Sequence, residues 1–368
     1  MVDVSLLKKD LDAIRAYRAK AKLPMTTHMG DEAVPIERIP MYSPTIMRVT
    51  TGGIPMGKFV RLFGDYSTCK SHVVYLILGA AQRYRSPRFP VGLGCAYWDT
   101  EGGWDAGHAE RLGVDVKSLI RGETQVIERI AEEVEVLMRS THIHAIDSLS
   151  DAKSTDELAS DLGDANIGIH AKAWKAALRK IESRMDRDEN TIVMVSHVGT
   201  KIDIKRHTSY TYPKDGDHAQ YLSAMNLEFS AGSWLFYHPD GHLDVADKIK
   251  TDTGLSPAGI MEPDGVEITV KCRKNKTGRQ HLSGKMRFDL NTFEFDTAFE
   301  LADGGLYFDE DGKPAHRSVK PAIISPDKGS WYWLPDGQHV NGRPGIRQAI
   351  DANPELEKMI RKAMLGGF

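Results

Sequence analysis

The chain has 368 residues, with 48 basic against 51 acidic side chains, a formal net charge of −3 and an apolar fraction of 41%. Those figures fit a soluble globular protein with one large core domain and smaller appendages. They exclude wholesale electrostatic binding of nucleic acid, which would have to use a local patch, and no apolar run nears the roughly 18 residues that span a bilayer.

Three scattered cysteines, Cys69, Cys95 and Cys272, form no C-x-x-C pair. That argues against a disulfide framework or zinc site and predicts a reducing, cytoplasmic setting. The start, Met1-Val2-Asp3 followed by Lys and Arg on a helical pattern, predicts no secretory signal. Asp3 caps a predicted amphipathic helix over 3–21, with Val4, Leu7, Leu11 and Ile14 on a narrow apolar stripe. The stretch after it, through Pro35, reads as a linker, so the helix packs on its own core or on a neighbouring copy. From about residue 50, strand and helix signals alternate. Strands are predicted at 59–63, 95–99, 143–147 and 191–195, and helices at 71–83, 123–139 and 166–187. On the last helix Trp174, Leu178, Ile181 and Met185 share a face. This rhythm predicts an α/β fold with a mostly parallel, doubly wound sheet. Strand-rich segments at 234–237, 266–272 and 286–290 make the sheet mixed. Residues 291–368, with Gly- and Asp-rich turns and a final helix over 353–363, read as a small α+β domain. The organisation expected is 1–33 for the helix and linker, 34–290 for the core and 291–368 for the C-terminal domain.

Gly64-Asp65-Tyr66-Ser67-Thr68-Cys69-Lys70-Ser71 lies where a strand ends and a helix begins. A G-x-x-x-x-G-K-[ST] loop belongs there, its backbone N–H groups and helix N-terminus holding phosphates. Lys70 would neutralise the β- and γ-phosphates and the Ser71 hydroxyl would ligate Mg²⁺. Cys69 stands in place of the second glycine, where a Cβ crowds the approach to phosphate, so weakened or altered nucleotide binding is expected. Glu101 follows the strand ending at Asp99, and Asp147 ends the strand at 143–147. Open parallel sheets bind ligands at that edge, and an apolar strand ending in Asp suits Mg²⁺.

With these residues in order, the chain resembles the RecA recombinases. Gly52-Gly53-Ile54-Pro55-Met56-Gly57-Lys58 and the phosphate loop resemble the family's "GGLPxGR…GPESSGKT" start. Asp99-Thr100-Glu101 through Asp105, then Ala109 to Asp115, resemble "DAEHALD…ARKLGVD". Glu157-Leu158 with Leu162-Gly163-Asp164 resembles the first DNA-binding loop, and Arg273-Lys274-Asn275-Lys276 the "VKNK" strand. Gly329-Ser330-Trp331-Tyr332 and Asp351 to Glu355 resemble the "GAWY…DNPE" C-terminal domain. The resemblance covers nearly the whole chain in one order.

It implies a RecA-like P-loop ATPase core using ATP and Mg²⁺, with Glu101 activating water and Lys70, Ser71 and Asp147 serving phosphate and metal. It places Asp105 and His108 at adenine, His197 as γ-phosphate sensor, and Lys274 and Lys276 on the ATP of an adjacent subunit. Gly163, Asp164 and Ile167 fall in the first DNA-binding loop. The implied partners are single-stranded DNA, homologous duplex DNA and further copies in a helical filament, with no membrane. His197 is similar to the residue phage members carry, which implies a phage source and a host-cell nucleoid setting. Glu228 stands where the family has lysine, Trp234 near a basic interface position, and Ser223-Ala224 where a glycine pair ends the second DNA loop. These departures and Cys69 support an alternative: a filament-forming DNA-binding or accessory protein with a degenerate nucleotide site and little turnover.

Residues 198–222 show no secondary-structure period and carry Lys201, Lys205, Arg206, His207, Tyr210, Tyr212 and Lys214. Basic residues interleaved with aromatics suit single strands, because rings stack on bases while cations track phosphates. A solvated loop is the plainer alternative. The basic face of the 166–187 helix reads as solvated, Cys95 and Cys272 as core, and His142 and His144 as lacking a third metal ligand.

Overall fold

The structure is a computed structural model. It describes residues 4–21, 36–160, 168–203, 208–213, 215–238, 241–246, 249, 261–304, 307–308, 314–315, 324–327 and 330–364. In chain order it opens with α1 (Val4–Lys20), β1 (Arg38–Ile39), α2 (Pro44–Thr50), β2 (Ile54–Pro55), β3 (Phe59–Gly64) and α3 (Lys70–Arg83). Then come β4 (Cys95–Asp99), α4 (Ala106–Arg111), β5 (Leu119–Gly122), α5 (Ile127–Leu137), β6 (Ile143–Asp147), α6 (Thr155–Ala159) and α7 (Ile169–Arg184). The next elements are β7 (Thr191–Asp203), β8 (Thr208–Pro213), α8 (Asp217–Leu222), β9 (Met225–Tyr237), β10 (Leu243–Val245), β11 (Gly265–Asn275), β12 (Ser283–Asp289) and β13 (Glu294–Phe295). The C-terminal stretch holds α9 (Thr297–Gly304), β14 (Tyr307–Phe308), β15 (Pro314–Ala315), β16 (Ser325–Pro326), β17 (Trp331–Trp333), β18 (His339–Asn341), α10 (Gly342–Ala352) and α11 (Pro354–Met364).

The main sheet runs β13-β12-β11-β9-β3-β7-β6-β4-β5. Its centre is parallel, from β9 through β3, β7, β6 and β4 to β5, and the β9–β11–β12–β13 side is antiparallel. The mixed, mostly parallel sheet is thus present. Alternation along each strand explains why both faces are covered. Val60, Leu62, Cys95 and Tyr97 enter one apolar cluster, with Val73, Val74 and Ile77 of α3. Phe59, Ala96 and Trp98 enter a second, with Ile127, Ile130 and Val134 of α5 and Trp174, Leu178 and Ile181 of α7. Strands buried on both faces are what crossover helices produce in a parallel sheet.

Three differences from the sequence reading matter. The helix expected at 123–139 is confined to Ile127–Leu137. Of the segment at 198–222, read as lacking any period, the described residues form regular elements: β7 runs on to Asp203, pairs antiparallel with β8, and α8 follows. The sequence does carry a period-2 signal here, Val198, Thr200, Ile202 and Ile204 alternating with Gly199, Lys201 and Asp203, but the run is short and is diluted by the basic residues that follow. A helix at Gly342–Ala352 also precedes the one expected near the end. The first cluster continues into the C-terminal stretch through Ala298, Leu301, Ile346, Ala349, Leu356 and Ile360. In α1, Leu11 is buried while Ile14 and Tyr17 are exposed.

Candidate nucleotide site

β3 delivers Gly64 to the edge where parallel strands end, and α3 starts six residues later. Ser67 and Cys69 both take left-handed backbone, with φ 56° at each. Such alternation turns successive N–H groups to one side and forms an anion nest, which the N-terminus of α3 reinforces. A glycine would reach that φ without strain; Cys69 holds it as a non-glycine, and its side chain packs against the apolar core. Burial pushes the Cys69 thiol up to about 12, so it stays protonated and inert. Lys70 is buried, its ammonium donating to the carbonyls of Asp65 (2.6 Å) and Gly64 (3.2 Å) and to the Thr68 hydroxyl (3.2 Å). Burial lowers its pKa, and Asp147, Glu101 and Asp65 oppose the shift.

The acids come from neighbouring strands. Asp99, ending β4, accepts from the N–H groups of Gly102, Gly103 and Trp104 at 2.8, 3.2 and 2.9 Å. That turn carries Glu101 over the sheet edge. Thr100 is fastened to β6, its N–H donating to the Asp147 carbonyl at 2.8 Å and its hydroxyl to the Ser148 carbonyl at 2.7 Å. The Asp147–Ser148 peptide is cis. Asp147 is fully buried, and burial, with Glu101 nearby, pushes its carboxyl up to about 7; Ser71, Tyr97 and Lys70 oppose this. The Tyr97 hydroxyl donates to Asp147 Oδ2 at 3.2 Å, while Oδ1 is buried with no hydrogen-bond partner. A lone carboxylate oxygen beside the Ser71 hydroxyl is a hard oxygen set of the kind that would hold Mg²⁺.

His197 lies on β7 opposite Gly64 of β3. Its Nε2 is 2.6 Å from Glu101 Oε1 and 3.4 Å from Asp151 Oδ2. Its N–H donates to the Ser150 hydroxyl at 2.9 Å. The Tyr66 ring stacks on His197 with centroids 4.3 Å apart. The His197 contact holds Glu101 below the usual carboxylate range, so it is ionised at neutral pH. The phosphate loop, the water-activating candidate and the sensor candidate therefore touch: Tyr66 on His197, His197 on Glu101. The role of Tyr66 in that chain was not visible in the sequence, because a stacking partner has no spacing signature.

Other expected site residues fall as follows. Asp105 caps α4 by accepting from the His108 N–H at 2.7 Å. The His108 ring stacks on Phe293 at 3.6 Å. Lys274 donates to the Gln220 and Tyr221 carbonyls at 2.8 and 3.0 Å, at the end of α8, and Lys276 is exposed. Glu228 is ion-paired with Arg273 at 2.6 Å, and Trp234 is exposed. Lys201, Tyr210 and Tyr212 lie on the β7–β8 hairpin, with Lys201 opposite Tyr210 in register. Gly163, Asp164, Ile167, Lys205 and Arg206 lie outside the described residues.

The RecA N-terminal domain family matches residues 15–233, more than half of the chain. The chain is similar to Protein RecA of Herpetosiphon aurantiacus, 25% identical over 345 residues, covering 92% of this chain and 84% of the relative. It is similar to Protein RecA of Gluconacetobacter polyoxogenes, 30% identical over 313 residues, covering 84% and 77%. A third relative, Protein RecA of Campylobacter jejuni subsp. doylei, is 26% identical over 315 residues. Matched along nearly its full length, and with a phosphate loop, two strand-end acids and a strand-end histidine meeting at one sheet edge, the chain belongs to the RecA family of recombinases.

Proposed function

We propose that this protein is an ATP-dependent recombinase that polymerises on single-stranded DNA as a helical filament and promotes pairing and strand exchange with homologous duplex. The observation that carries the reading is continuity: β7 leaves His197, beside Glu101 and the phosphate loop, and runs straight into the β7–β8 hairpin. Basic and aromatic residues on that hairpin suit a single strand, so DNA contact and phosphate contact share one strand. The loop's N–H groups and Lys70 would hold the phosphates, Ser71 and Asp147 the cation, and ionised Glu101 would accept the proton of the attacking water. Bound Mg²⁺ would supply charge neutralisation at the transferred phosphoryl. On this reading the exposed Ile14 and Tyr17 of α1 dock on a neighbouring copy. Lys274 and Lys276 face the nucleotide of the adjacent subunit.

The test is ATP hydrolysis by purified protein with and without single-stranded DNA. Clear stimulation by DNA is expected; retained DNA binding with no hydrolysis would favour the non-turnover alternative. The packing of Cys69 bears on that choice. Its side chain rests on the apolar core, so Cys69→Gly is expected to change turnover by less than about threefold, under 1 kcal/mol in the barrier. A rise of tenfold or more in side-by-side assays would show that the side chain obstructs phosphate.

A further inference from the structure

At the centre of the sheet, beneath α8, a charged pair is wholly buried. Arg61 of β3 and Asp215 have side chains 1% and 0% exposed and meet at 3.0 Å. Arg61 Nε donates to the Ser196 hydroxyl at 2.9 Å, and that hydroxyl donates to the other Asp215 oxygen at 2.9 Å. Burial lowers the Arg61 pKa, and Asp215 and then Asp217 oppose the shift. The three positions are informative. Arg61 stands three residues before Gly64, Ser196 immediately before His197, and Asp215 two residues past the end of β8. The triad therefore ties both ends of the hairpin to the strand that feeds the phosphate loop.

A buried ion pair is a poor way to gain stability, since apolar residues of similar volume often serve as well or better. Its value lies in fixing one arrangement, because both partners must keep each other's geometry or be left charged and unpaired. We infer that Arg61 and Asp215, bridged by Ser196, are positioning residues that lock the hairpin to His197, so that strand binding and nucleotide state report to each other through this triad. The inference rests on the DNA and ATP reading above. Any displacement of the hairpin base moves Asp215, and Asp215 holds the side chain next to His197. Coupling between sites needs an element that both ends bias, and this junction touches both.

The experiment measures binding of a labelled oligodeoxythymidylate by fluorescence anisotropy, with and without a non-hydrolysable ATP analogue and Mg²⁺. The wild type is expected to bind about tenfold tighter with the analogue, within the usual range of coupling. The uncharged double variant Arg61→Met/Asp215→Leu, checked by circular dichroism, is expected to keep its nucleotide-free affinity. Its gain from the analogue should fall below about twofold. Ser196→Ala, which leaves the ion pair in place, should fall between the two and serves if the double variant does not fold. A full tenfold gain in either folded variant overturns the inference and leaves the recombinase reading intact. A wild type that binds no single strand, with or without the analogue, overturns the recombinase reading and the inference with it.

Discussion

Glu101→Gln is expected to leave single-stranded DNA binding unchanged and to lower ATP turnover by roughly 10²- to 10⁴-fold, the range typical of a lost general base. The amide has nearly the same shape, and its oxygen can still accept from His197, whose Nε2 lies 2.6 Å from Glu101 Oε1. The Asp99-capped turn that carries residue 101 uses main-chain donors and is untouched by the change. What disappears is the ionised carboxylate that the His197 contact maintains at neutral pH. Binding and turnover should therefore separate: an anisotropy titration would overlay the wild type while a phosphate-release assay falls away. Turnover equal to wild type would remove Glu101 from the chemistry.

Glu300→Gln is expected to flatten the pH dependence of stability. Glu300, on α9, is fully buried and accepts from the Ser43 hydroxyl (2.5 Å) and the Thr45 N–H (3.0 Å) at the start of α2. Burial pushes its carboxyl up to about 7, and the Ser43 and Thr45 contacts offset only part of this. Because the folded pKa lies above the unfolded value, the folded state keeps its proton longer. The contribution is complete below the ordinary carboxylate pKa and is lost as pH rises through about 7. At 1.36 kcal/mol per unit the loss is on the order of 3 kcal/mol, and full burial leaves no solvent screening to discount. Glutamine mimics the protonated acid at every pH. Part of the wild-type loss already lies below pH 5, so denaturant unfolding at pH 5 and pH 8 should show the variant losing roughly 2 kcal/mol less than wild type across the interval. Equal losses would mean that the Glu300 carboxyl is already ionised in the native protein at neutral pH.

Much of this architecture is readable from the sequence because parallel strands buried on both faces announce themselves as short apolar runs. The strands at 59–63, 95–99, 143–147 and 191–195 all lie in the parallel part of the sheet. Strand-end placement is equally legible: Glu101, Asp147 and His197 come to one edge, beside Lys70, because successive parallel strands end there. The hairpin escaped because its one alternating run, Val198 to Ile204, is short and is followed at once by Lys205, Arg206 and His207. Tyr66 on His197, and Arg61 with Ser196 and Asp215, escaped for a related reason. Each contact joins residues far apart in the chain, and neither stacking nor a buried ion pair leaves a periodic trace. Arg61 within an apolar strand was the one local hint, since arginine is almost never fully buried unless paired. Glu300 gave none, looking like any helical glutamate until α2 was seen above it.

The apolar cluster under α3 passes without a break into Ala298, Leu301, Ile346 and Ile360, while Glu300 grips α2 from the same side. The seam near residue 290 is therefore a poor place for natural shuffling. A C-terminal segment borrowed from a relative would have to match, side chain for side chain, a surface that evolved against another partner. Lineages carrying this chain should inherit its two ends together, and drift in one should leave compensating substitutions in the other.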